Sequence, residues 1–117
     1  MNSEAMDPAA LDRLRNAGGD DLVTGLVNMY LQGVGEKMQA IQEALNSEDL
    51  EEIERRSHML VSSAGHLGGV LVSNLSKQIE LAARDKNMEK VQLLIPELVS
   101  AEKDFSDYLR NEGKADE

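Results

Sequence analysis

Residues 20–46 read DDLVTGLVNMYLQGVGEKMQAIQEALN, and this stretch decides the fold. Val23, Val27, Tyr30, Val34, Met38, Ile41 and Leu45 follow one another at steps of four, three, four, four, three and four. That is one face of an α-helix held for about six turns. Leu22, Leu26 and Met29 lie beside this stripe and widen it. Such a helix draws most of its stability from whatever covers its apolar face. The remaining sequence must therefore provide the cover.

Both directions provide more helix. Upstream, Asp7 is placed to cap a short first helix with Pro8 at its first position, and Leu11 and Leu14 are its apolar side. Gly18-Gly19 is expected to end it. Downstream, Asn46-Ser47-Glu48-Asp49 breaks the pattern, and Ser47 is a candidate cap for the next helix. There Leu50, Ile53, Ser57, Leu60, Ala64 and Leu67 recur at helical spacing until Gly68-Gly69. A further segment runs from Val70 to about Lys86 with Leu71, Leu75, Ile79 and Ala82 on one side. The last carries Val91, Leu94, Leu98, Ala101, Phe105 and Tyr108. Pro96 inside it removes a backbone donor and is expected to kink it or restart it. The pattern predicts an all-α antiparallel four-helix bundle with a short additional N-terminal helix, spanning residues 8–110. Residues 1–7 and 111–117 are polar and are expected to be flexible ends.

Composition narrows the function. The chain has 117 residues, enough for one domain, and its aromatic share of 3% argues against a strand-rich fold. The absence of cysteine excludes a disulfide scaffold, thiolate zinc sites and cysteine catalysis. A formal charge of −10 disfavours nucleic acid and anionic membranes, both of which need a basic face. No apolar run approaches the length of a bilayer span. Met1-Asn2-Ser3-Glu4 lacks the basic and apolar parts of a signal peptide, so a cytoplasmic location is expected.

No phosphate-cradling loop followed by lysine, no Gly-x-Ser-x-Gly elbow and no paired Glu-x-x-His motif is present. The chain is thus expected not to be an enzyme with its own ATP or metal site, and no cofactor of its own is expected. Attention falls on His58. With Ile53 at the origin of a helical wheel, the core positions lie within about 60° and His58 at about 140°, toward solvent. Glu54, Arg55, Val61, Ser62 and Gly65 surround it on that side. Ser62 and Gly65 are small, so a partner's backbone could come close to the ring. A neutral imidazole nitrogen is a nucleophile at pH 7 and could accept a phosphoryl group if a partner brought the electrophile.

Residues 56–69 read Arg-Ser-His-Met-Leu-Val-Ser-Ser-Ala-Gly-His-Leu-Gly-Gly. This resembles the signature of histidine-containing phosphotransfer (HPt) domains, His-x-Leu-Lys-Gly-Ser-Ser/Ala-x-x-Leu-Gly-Ala. His58, Leu60, Ser63, Leu67 and Gly68 match, with Gly69 in place of the small Ala. Leu11-Asp12-x-Leu14 with Gly-Gly-Asp-Asp-Leu at 18–22 is similar to the family's opening. Leu75, Ile79-Glu80 and Ala83-Arg84 resemble its fourth helix. The resemblance implies a phosphorelay intermediate with His58 as phospho-acceptor. Its implied partners are a response-regulator receiver domain and a sensor or hybrid histidine kinase, with Mg²⁺ on the receiver. A receiver's phospho-aspartate would dock over Ser62 and Gly65, and Leu22, Leu26 and Met29 are candidate docking contacts, with plain core packing equally open.

The departures matter. The family pattern sets Lys three residues after the histidine and Gly one further on, where this chain has Val61 and Ser62. Arg55, or Lys77 on the following helix, could supply the missing charge. Gln78 or Glu80 could bond His58 and orient its ring. His66, near a helix C-terminus, is expected to be structural. Val61 also keeps open a non-catalytic adaptor that binds a receiver or kinase without efficient transfer. A plain structural bundle is the third reading.

Overall fold

A computed structural model of the chain describes residues 5–112. The described residues form four helices: α1 (Ala9–Asn46), α2 (Leu50–Gly65), α3 (Val70–Arg84) and α4 (Met88–Glu112). The links at 47–49, 66–69 and 85–87 are short, so successive helices run antiparallel. The outcome is the all-α four-helix bundle that the apolar spacing predicts. Among the described residues no helix is long and apolar enough to cross a membrane.

The expected short first helix is the leading part of α1. Gly19 sits at φ 83° and ψ −179°, outside helical geometry, so two helical pieces meet across a kink. A left-handed φ suits glycine because it has no Cβ to clash. The Asp7 carboxylate accepts a hydrogen bond from the Ala9 backbone N–H at 3.0 Å, and Pro8 directly precedes the first helical residue. At the start of α2 the cap is Asp49 rather than Ser47. Asp49 Oδ1 accepts from the Glu52 N–H at 3.2 Å, whereas the Ser47 N–H is spent closing α1 on the Glu43 carbonyl at 3.0 Å. Glu48, with φ 55°, turns the chain between the two helices.

Val23, Val27, Ile41, Ile53, Leu60, Ile79, Val91, Leu98 and Phe105 fill the interior. Each such side chain is worth about 1.5–3 kcal/mol on burial. On α3 the core edge is Val72, Leu75, Ile79 and Ala82, while Leu71 is 40% exposed and stands off the face expected for it. Helix α4 continues through Pro96, which lies exposed. The expected kink or restart therefore does not divide it into two helices.

The α2–α3 corner is tied to the N-terminal segment. The Asp7 N–H donates to the Gly68 carbonyl at 2.8 Å, and the Leu71 N–H to the Ala5 carbonyl at 2.9 Å. A Cβ on Gly68 would stand 2.7 Å from the Asp7 carbonyl oxygen, and one on Gly69 would stand 2.6 Å from the Phe105 ring. Two consecutive glycines thus let the corner close on both neighbours. Residues 1–4 and 113–117 of the expected flexible ends lie outside the described residues.

Candidate functional site

Helix α2 places His58 where its periodicity puts it. Ile53, Ser57, Leu60 and Ala64 are buried, and the His58 side chain is 68% exposed. The ring is anchored from beneath. His58 Nδ1 lies 2.9 Å from Oε2 of Glu80 on α3, whose side chain is 3% exposed. A carboxylate accepts only, so the hydrogen belongs to Nδ1 and the lone pair of a neutral ring resides on Nε2. One bond therefore sets both the orientation and the tautomer.

Burying the Glu80 carboxylate would be costly without compensation. Compensation comes from its own helix. Arg84, one turn on, donates from Nη2 to Oε2 at 2.8 Å, and Lys77 Nζ stands 3.5 Å from Oε1. Arg84 also donates from Nε to Glu54 on α2 at 2.9 Å. The Glu54 carboxylate, with Glu80 adding to it, holds the guanidinium above its ordinary pKa. Arg84 thus joins α2 to α3 beside the histidine.

The sequence left Gln78 and Glu80 open as partners of the ring, and it is Glu80 that meets it. Gln78 is exposed and makes no bond to the ring. Of the two candidate cations, Lys77 lies on Glu80, while Arg55 lines the shallow hollow around His58 but is held by Glu52 at 2.5 and 2.6 Å. Arg84 was not among the expected site residues. Its signal was present in the four-residue spacing from Glu80, which puts both on one helix face. Val61 is half-buried, and its carbonyl accepts from the Ser73 hydroxyl at 2.9 Å. Ser62 and Gly65 are exposed, leaving a low surface beside the ring.

The other flank of α2 meets α1 in a groove of about 480 Å³. Leu26, Met29 and Leu67 form its apolar part, and Lys37, Ser63 and His66 its polar part. Met29 is 69% exposed and Leu26 half-buried. Leu22 is half-buried but does not line this groove. His66 caps α2, its backbone N–H donating to the Ser62 carbonyl at 3.0 Å, and its side chain borders the groove.

The described residues thus form a helical bundle with one anchored, outward-facing imidazole beside the small, exposed Ser62 and Gly65. The model of the Hpt domain family matches residues 25–109, well over half of the chain. Among solved structures, the crystal structure of histidine-containing phosphotransfer protein B from Pseudomonas aeruginosa PAO1 shares the fold with a TM-score of 0.87. It is 18% identical, and the match covers 94% of this chain and 95% of that one. Comparison with curated protein sequences gives no match. The chain belongs to the Hpt domain family. Membership places it among the phosphotransfer components of two-component signalling.

Proposed function

We propose that this chain is a phosphorelay intermediate in which His58 accepts a phosphoryl group from the aspartyl phosphate of a receiver domain and returns it to the aspartate of another. The observation that carries the reading is the exposed ring held through Nδ1 by a buried carboxylate. In the transfer, the Nε2 lone pair forms a bond to phosphorus in line with the breaking P–O bond. The electron pair of that bond returns to the receiver's carboxylate. Nδ1 keeps its proton throughout, so positive charge develops on the ring, and Glu80 is already in place to meet it. The receiver supplies Mg²⁺ and a basic residue to the phosphoryl oxygens. This chain contributes position and a nucleophile. Ser62 and Gly65 give room for the approach, and Leu26 and Met29 offer apolar surface for docking. A sensor or hybrid histidine kinase stands upstream of the donor receiver.

Incubation with a phosphorylated receiver should yield an acid-labile, base-stable adduct, absent from His58→Gln. An adduct that persists in that variant would move the acceptor to His66. No adduct on the unaltered chain, despite measurable receiver binding, would favour the adaptor reading, for which Val61 speaks. Under the relay reading, Val61→Lys is expected to raise the transfer rate.

A further inference from the structure

Every arginine among the described residues, together with Lys77 and Lys103, has a carboxylate at 3.5 Å or less. Lys37 does not, in a chain whose formal charge is −10. Lys86 and Lys90, the other unpaired lysines among the described residues, are exposed near the α3–α4 turn, but Lys37 is half-buried against the groove between α1 and α2. Its ammonium folds back toward Gly33, where an added Cβ would lie 3.9 Å from Nζ. An ammonium lining the same groove as Leu26, Met29 and Leu67, with no anion of its own, is complementary to an approaching carboxylate. The groove also borders the nucleophile's helix. Ser63 on its wall is five residues from His58, about 7.5 Å along the axis and about 140° round the helix.

We propose that Lys37 is the docking cation of this protein: the groove takes an apolar side chain of the receiver on Leu26, Met29 and Leu67, and Lys37 pairs with a receiver carboxylate beside it. The positive charge that the family pattern sets at position 61 thereby comes from α1 instead. The consequence is selectivity. Receivers with an acidic residue at that point of contact dock, and those with a basic residue there are repelled. Lys37 touches no reacting atom. It acts on encounter and affinity, while His58 and Glu80 do the chemistry.

The inference rests on the relay reading, so its test needs two donors and a binding measurement. The receiver domain that labels the unaltered chain fastest, from a panel phosphorylated with phosphoramidate, is the first donor. Phosphoramidate alone, too small to use the groove, is the second. With the receiver, Lys37→Ala should raise KM about fivefold and Lys37→Glu about tenfold or more, with kcat little changed. Lys37→Arg should stay near the unaltered chain. Added salt should slow the unaltered chain more than the Ala variant. Phosphoramidate should label His58 equally in all four. Equal KM for the unaltered chain and Lys37→Glu would overturn the proposal. A change in the chain's own sedimentation in Lys37→Glu would overturn it too, making the groove a contact between copies. If neither donor labels His58, the relay reading falls. Receiver Kd, measured by titration without transfer, then still decides Lys37: weakened binding of Lys37→Glu supports it and unchanged binding refutes it.

Discussion

Two glutamates are buried among the described residues, and they are treated in opposite ways. Glu80 on α3 is met by His58, Arg84 and Lys77. Glu102 on α4 is met by two hydroxyls, with Tyr30 of α1 donating at 3.3 Å and Ser106 donating from the next turn. Tyr30 also packs edge-on against Phe105, with ring centroids 5.4 Å apart. Glu102 therefore joins α1 to α4 from inside the core. Burial lifts its carboxyl above the ordinary value, against the pull of the Ser106 and Tyr30 hydroxyls and of Arg110. Burial likewise pushes the Tyr30 phenol well up. A carboxylate ringed by cations can stay charged under a surface residue and steer it. One ringed by hydroxyls is a polar joint that is easier to keep protonated.

Activity separates the two most sharply. Glu80→Ala removes the acceptor for Nδ1, frees the ring's orientation and tautomer, and should lower the rate of phosphoryl transfer about 10- to 100-fold. Glu80→Gln keeps an oxygen acceptor while removing the charge, so it should fall between Ala and the unaltered chain. Glu102→Gln should leave the transfer rate as it is. These are measured as initial rates of His58 labelling from one phosphorylated receiver. Equal losses in Glu80→Ala and Glu102→Gln would mean that both carboxylates serve only the fold.

Stability against pH separates them next. Glu102 keeps its proton in the folded state at pH values where the unfolded carboxyl has released it. Folding then takes up a proton, so the associated stability is whole below the ordinary value of 4.5 and is lost as pH rises through the folded value. Glu102→Gln carries a permanent neutral amide in that place. Urea unfolding should therefore give the variant a flatter stability profile from about pH 4.5 upward, and at pH 7 a stability equal to the unaltered chain or higher by on the order of 1 kcal/mol. A variant clearly less stable at pH 7 would show that the charged carboxylate is the form the joint needs.

The same pair shows what the sequence could convey. The bundle was legible because each helix repeats its apolar spacing over several turns, and position on that wheel put His58 in solvent. The choice of Glu80 was not legible. Gln78 and Glu80 sit one residue, about 100°, on either side of buried Ile79, and only the packing of α3 on α2 decides which flank looks at His58. Lys37 was hidden for a related reason, since its groove exists only where α1 and α2 meet. Local competition explains the smaller misses. Ser47 lost the cap of α2 because the helix starts at Leu50, directly after Asp49, and Leu71 left the core because Val72 points inward in its place.

The smallest effect concerns a third kind of buried polar group. The Ser57 and Ser76 hydroxyls, on α2 and α3, are buried with no hydrogen-bond partner, and Ser57 is the residue before His58. With no hydrogen-bond partner, their oxygens give up water for nothing in return. What they provide is small volume at the α2–α3 interface, which alanine provides as well. Ser76→Ala should therefore be neutral or stabilising by under about 1 kcal/mol, read from the urea midpoint at constant m, with the His58 labelling rate unchanged. A loss above about 1 kcal/mol would mean that the hydroxyl is bonded after all, and the interface beneath His58 would then hold a polar contact of the Glu102 type rather than a plain packing site.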